Sequence, residues 1–154
     1  MVGTLLRVLL LLPLLGLPSF GPDQDSGSEA RDYQVAYGLF RDGQYQLAID
    51  EFSCFVQSYP GRARRADVAY LGAECLLNMG REAAAIQSFE AFTKAYPRSV
   101  LIPDAHFRDG EILYRQRKYD STIRLFTEVL ERHPQAELAG EEAYWIGESC
   151  CKKE

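Results

Sequence analysis

The sequence predicts an all-α fold, a right-handed α-solenoid of about three and a half helical hairpins. Three observations predict it. Pro60, Pro97 and Pro134 are 37 residues apart, and a fixed period of this size marks a stacked repeat. The same interval relates Ala48, Ala85 and Thr122; Ile49, Ile86 and Ile123; Phe52, Phe89 and Phe126; and Tyr59, Tyr96 and His133. It also relates Tyr33, Tyr70, Phe107 and Tyr144; Ala36, Ala73, Gly110 and Gly147; and Leu39, Leu76, Leu113 and Cys150. Within each copy apolar residues recur at three- and four-residue steps, which is the pattern of an amphipathic helix and not of a strand.

In chain order, residues 1–21 stand outside the repeat. Arg7 precedes an apolar run, Val8–Leu17, and Ser19-Phe20-Gly21 follows with small residues. That layout is a secretory signal peptide, so a periplasmic or secreted location is expected. The run is too short, and too broken by Pro13, for a comfortable membrane span, so no stable membrane insertion is expected after cleavage. No cysteine precedes Cys54, which argues against lipid anchoring at the cleavage site. Residues 22–28 (PDQDSGS) read as a flexible linker. Ser26 and Glu29 have the spacing of a capping box that would start the first helix.

The repeat domain is expected over 29–154, with copies near 29–65, 66–102 and 103–139 and a final helix over 140–152. Helices are placed near 29–42, 45–58, 64–79, 82–95, 103–116, 119–132 and 138–152. Gly43 and Gly80 fall where a helix must stop and reverse, as a left-handed residue allows; the third hairpin has Arg117 there and must turn without glycine. Pro60, Pro97 and Pro134 end the second helices because proline cannot continue the backbone ladder. Pro103 suits a first helical turn. Ile49, Phe52, Phe55 and Val56 form one apolar face, matched by Ile86, Phe89, Phe92 and Thr93 and by Ile123, Phe126, Val129 and Leu130. Ala36, Ala48, Ala73, Ala85, Gly110 and Gly147 are small residues placed where the two helices of a hairpin touch. One hairpin cannot bury its own apolar face, so stability must come from stacking.

The chain carries a net charge of −5, and losing Arg7 makes it more acidic. Such a chain gains nothing from polyphosphate, so nucleic acid is not an expected partner. Two histidines and four cysteines show no zinc-site spacing, and no metal or cofactor is expected. Cys54 and Cys75 read as small buried thiols, with a bridge between them as the sharper alternative for an exported chain. No local motif supports catalysis, so an enzyme is not expected.

At these residues the chain resembles the tetratricopeptide repeat family. Ala36, Leu39, Gly43, Ala48, Phe52 and Pro60 meet its pattern, as do Ala73, Leu76, Gly80, Ala85, Phe89 and Pro97. A third copy, Gly110, Leu113, Thr122, Phe126 and Pro134, lacks the turn glycine. The usual repeat is about 34 residues, so this one is longer. The strings "FRDGQYQLAIDEFSCFVQSYPGR", "RKYDSTIRLFTEVLERHPQAE" and "EEAYWIGESC" are similar to repeats of a periplasmic Tol–Pal-associated cell-division coordinator and of an outer-membrane β-barrel assembly lipoprotein. The chain has neither the coiled coil of the first nor the lipid anchor and length of the second.

The resemblance implies that the first helices line a concave groove. One column there is Tyr33, Tyr70, Phe107 and Tyr144, and a second is Tyr37, Glu74, Glu111 and Glu148. A third is Ala30, Asp67, Asp104 and Glu141, and a fourth is Phe40, Leu77 and Tyr114. Aromatic anchors flanked by carboxylates would take a protein segment with basic and apolar residues. The bland alternative is that the aromatics pack on one another and the carboxylates solvate the inner face. Arg62, Arg64 and Arg65 read as a solvated corner, His106 as packed, and His133 as a helix cap. The final helix leaves Tyr144, Trp145, Ile146, Cys150 and Cys151 outward. It is expected to act as a cap with Trp145 half exposed, with homo-oligomerisation through this end as an alternative. The function expected is a non-enzymatic scaffold of the cell envelope, coordinating division and wall synthesis. The alternatives are a β-barrel assembly factor or a glycan-binding accessory of an envelope enzyme.

Overall fold

The computed structural model describes residues 22–61, 64–135 and 137–153. Seven α-helices follow one another: α1 (Pro22–Arg41), α2 (Tyr45–Ser58), α3 (Arg65–Asn78), α4 (Glu82–Ala95), α5 (Ile102–Arg115), α6 (Tyr119–Arg132) and α7 (Ala139–Lys153). Each helix packs chiefly on its neighbours in sequence, as a solenoid requires. The pairs α1–α2, α3–α4 and α5–α6 are three hairpins, and α7 is a further first helix. Among the described residues there is no strand, and no helix is long and apolar enough to cross a membrane.

The expected boundaries differ at the start. The segment 22–28, expected as a linker, is helical from Pro22. Proline is well suited to the first helical position, where its missing donor is not needed. Ser26 then lies inside α1, so a capping box with Glu29 does not begin the helix. The expected leader, 1–21, lies outside the described residues.

The three hairpin turns share one backbone device. Gln44 N–H donates to Leu39 O at 2.9 Å and Gly43 N–H to Phe40 O at 3.1 Å. Arg81 and Gly80 repeat this with Leu76 and Leu77, and Lys118 and Arg117 repeat it with Leu113 and Tyr114. This crossed pair satisfies the last helix carbonyls and needs a left-handed residue at the turn. Gly43 and Gly80 supply it with φ of 74°, and Arg117 supplies it with φ of 59°. An L side chain in that region costs about 1–2 kcal/mol, so the third turn is the strained one. The second helices end where expected, at Tyr59, Tyr96 and His133 before the three prolines.

The core is built across hairpins. Ala36, Ala48, Phe52, Phe55 and Tyr59 of the first hairpin are closed by Val68 and Cys75 of α3. Ala73, Ala85, Phe89 and Phe92 of the second are closed by Ile102, Ala105 and Ile112 of α5. Gly110 completes the small-residue column in the third: a Cβ there would sit inside the Phe126 ring. Ala36 and Ala73, in the same column, are buried with their methyl groups accommodated.

Cys75 is fully buried, whereas Cys54 is exposed on α2, and both thiols are free. The bridge weighed from the sequence is therefore absent, because α2 turns Cys54 outward. Burial, and then Glu74, push the Cys75 thiol up to about 11, which leaves it protonated and unreactive at neutral pH.

Candidate functional site

Successive first helices lie side by side, and their contacts define the face on which a ligand was expected. Tyr33 stacks on Tyr37 with ring centroids 6.0 Å apart, and Tyr37 on Phe40 at 6.1 Å. The Arg64 guanidinium lies over the Tyr33 ring, 4.5 Å from its centroid. Burial, followed by the charge of Asp67, raises the Tyr33 hydroxyl pKa. The corner expected around Arg64 as solvated is thus partly engaged by a cation–π contact. Arg65 buries its Nε, and Arg62 lies outside the described residues.

The aromatic column does not form one continuous ladder. Tyr33 meets Phe55 edge-on, and Tyr70 packs on Phe89 and Phe92 of its own hairpin. Phe107 is 5% exposed against Phe126. It is therefore a core residue and is withdrawn from the groove, because the glycine at 110 lets the two rings close. Leu77 packs on the second core cluster. Tyr144 is 61% exposed. At the far end Tyr114 packs on Trp145 at 4.7 Å and on Tyr119 at 5.5 Å. Trp145 is half-buried there, with α7 docked on α6.

The acidic columns divide. Glu74 accepts from Arg108 Nε at 2.8 Å and from Tyr70 Oη at 2.9 Å, while Arg108 Nη1 donates to Glu111 at 2.8 Å. Two carboxylates of the second column thereby share one guanidinium that bridges adjacent hairpins. Burial, and then the charge and hydrogen bond of Glu74, push the Tyr70 hydroxyl far above its usual range. The third column behaves differently. Among the described residues Asp67, Asp104 and Glu141 form no ion pair or hydrogen bond through their carboxylates, and neither does Glu148 of the second. These remain available to a cationic ligand.

Arg108 was missed from the sequence. Its i,i+3 spacing to Glu111 is legible there, but its bond to Glu74 exists only once α5 is laid beside α3. Two other carboxyl groups were missed. Asp109 is 8% exposed and Glu142 fully buried. Asp109 Oδ1 and both Glu142 oxygens lack hydrogen-bond partners. The available signal was a charge in a column otherwise holding Val35, Gly72 and Ile146, or in one that holds Val68 and Ala105 after Arg31.

His106 is half-buried and its pKa is lowered by burial. His133 caps α6 through its backbone N–H, which donates to Val129 O at 2.7 Å. No group of three or more His, Cys, Asp or Glu among the described residues is placed to hold a metal.

A profile of the tetratricopeptide repeat matches residues 33–100 and 76–137, more than half of the chain. Among solved structures, the chain is similar to MamA (residues 41 to the end) from Desulfovibrio magneticus RS-1, with a TM-score of 0.64 and 17% identity. That match covers 82% of this chain and 66% of the other. A double mutant of MamA from RS-1 aligns with a TM-score of 0.64 and 16% identity, over 81% of this chain and 65% of that one. The chain thus spans just under two thirds of the length of those structures, and at this identity the likeness is one of fold. Among curated proteins none matches at a significant level. With the 37-residue register, the crossed turns and the stacked cores, the profile match establishes that the chain belongs to the tetratricopeptide repeat family.

Proposed function

We propose that this protein is an exported, non-enzymatic scaffold of the cell envelope, and that the face of its first helices holds a partner segment carrying basic and apolar residues. The observation that carries this reading is the column of unpaired carboxylates Asp67, Asp104 and Glu141 along α3, α5 and α7, whose first member lies near Tyr33 of the Tyr33–Tyr37–Phe40 stack. Unpaired carboxylates next to half-buried rings offer charge selection and apolar area together. Glu74 and Glu111 contribute less attraction, since they share Arg108. Export rests on the composition of residues 1–21. The role within the envelope, coordination of division and wall synthesis in the Tol–Pal manner, rests on the repeat strings "FRDGQYQLAIDEFSCFVQSYPGR" and "EEAYWIGESC". Self-association through α7 belongs to the same proposal, supported by the exposed Tyr144.

The test is affinity capture from an envelope extract with the parent and with an Asp67→Lys, Glu141→Lys double variant, followed by mass spectrometry. Division or wall-synthesis proteins retained by the parent and lost by the variant are expected. Proteins of β-barrel assembly in their place would transfer the role to that process. Identical captures would remove the first-helix face as the site. Captured material that resists high salt would indicate a neutral glycan and count against a basic segment.

A further inference from the structure

A second groove lies on the other side of the molecule, between α4 and α6 with α5 as its floor. It is a cavity of about 420 Å³ lined in part by Ile86, Glu90, His106, Asp109, Leu113 and Leu125. Leu125 and His106 also border an adjoining cavity of about 330 Å³ that runs toward Pro97 and His133. The first repeat has the corresponding groove between α2 and α4, lined by Ile49, Ser53, Ala69, Gly72 and Leu76 among others. One repeat on, Ile49 and Leu76 become Ile86 and Leu113, still apolar. Ser53, Ala69 and Gly72 become Glu90, His106 and Asp109. Stacking does not require that change, because the first repeat stacks without it.

Asp109 is the decisive residue. It is 8% exposed, and its Oδ1 is closed off from solvent with no hydrogen-bond partner. Among the described residues nothing pairs with its carboxylate. A buried acceptor of this kind carries a desolvation cost that a partner would relieve. Glu90 and Glu128 stand at the groove walls, each in an exposed ion pair within its own helix, Glu90 with Lys94 at 3.7 Å and Glu128 with Arg132 at 2.8 Å, so Asp109 is the carboxylate without a cation. Arg124 is an exposed rim residue and makes no ion pair with Asp109.

We propose that this groove is a binding site for a basic side chain, lysine or arginine, presented by a partner protein. The aliphatic stem lies over Ile86, Leu113 and Leu125, and the charged end reaches Asp109 between Glu90 and Glu128. The site is independent of the first-helix face, so a partner engaging both would grip the solenoid from two sides. The protonation behaviour agrees. Burial, and then the charge of Glu90, push the Asp109 carboxyl up to about 7. An arriving ammonium reverses that preference, so binding near pH 6 releases a proton. The groups facing the site are Glu90 with its partner Lys94, His106, Arg124, and Glu128 with its partner Arg132.

The probe is n-butylammonium chloride, titrated into the ¹⁵N-labelled full chain near pH 6, with n-butanol and sodium chloride as controls. Saturable amide shifts at Glu90, His106, Asp109 and Leu125 are expected with the ammonium alone. Asp109→Asn keeps the side-chain shape and is expected to weaken binding about tenfold, as a charge-assisted hydrogen bond implies. Glu90→Ser, which restores the residue of the first repeat on an exposed position, is expected to weaken it several-fold with the spectrum otherwise unchanged. Shifts that do not saturate, that appear equally with butanol, or that survive unchanged in both variants overturn the proposal. So do saturable shifts confined to Tyr37, Asp67 and Tyr114, which would place the amine site on the first-helix face.

Discussion

Glu142→Met probes how the last helix is held. Glu142 lies on α7 in the column that Val68 and Ala105 fill, and those two residues close the first and second cores. It is fully buried and neither carboxylate oxygen has a hydrogen-bond partner. Burial, with Asp104 adding to it, pushes its carboxyl up from 4.5 to about 7. The folded state therefore holds this proton more tightly than the unfolded chain does. The resulting stability is fully present below about pH 4.5, declines as the pH rises, and is lost above about pH 7. The rise is worth about 3 kcal/mol. Methionine has similar volume and no charge, and a buried charge without a partner is often replaced by an apolar group with a gain. The assay is urea unfolding followed by circular dichroism, at about pH 4.5 and about pH 7.5, for parent and variant. The variant is expected to be the more stable at the higher pH, and its advantage to shrink by about 3 kcal/mol at the lower. Asp109 shifts in the same direction but is common to both proteins and cancels in the difference. An advantage that is the same at both pH values would refute the reasoning, since it would mean that Glu142 does not change its proton affinity on folding.

Three further outcomes are expected. Gly110→Ala gains about 1 kcal/mol of helix propensity but drives a methyl into Phe126. A net loss of about 1–3 kcal/mol should lower the melting temperature, and a gain would show that the α5–α6 contact is looser than described. Arg117→Gly removes the strained left-handed side chain and is expected to stabilise by about 0.5–1 kcal/mol; thermal unfolding that is unchanged or weakened counts against it. If α7 mediates self-association, light scattering gives a dimer for the parent and a monomer for Tyr144→Lys; a monomer for both removes α7 as a self-association surface.

Much of the architecture was legible because it is local and periodic. A turn glycine, a terminating proline or a small residue facing an aromatic acts within one hairpin, and the 37-residue register repeats each signal. Arg117 could be assigned to the glycine position from that register alone, and its φ of 59° fits the assignment. The start of α1 was less legible, because the polar run from Pro22 has linker composition and yet admits a helix whose first residue is proline. The candidate site was legible only as columns. Column membership says which residues share a face, but not how deeply each is covered. Tyr33, Tyr70, Phe107 and Tyr144 share one column and range from buried Phe107 to exposed Tyr144.

The sequence by itself determined the repeat, the ends of the second helices, the three reversals and the apolar faces, since each depends on chain-local backbone limits and on periodicity. Only the tertiary structure decided which charges remain free. Arg108 reaches Glu74 because α5 lies beside α3, and Asp109 and Glu142 lose solvent because neighbouring helices close over them. Ion pairing and desolvation act over a few ångströms between residues distant in sequence, so stacking sets them and spacing along the chain does not.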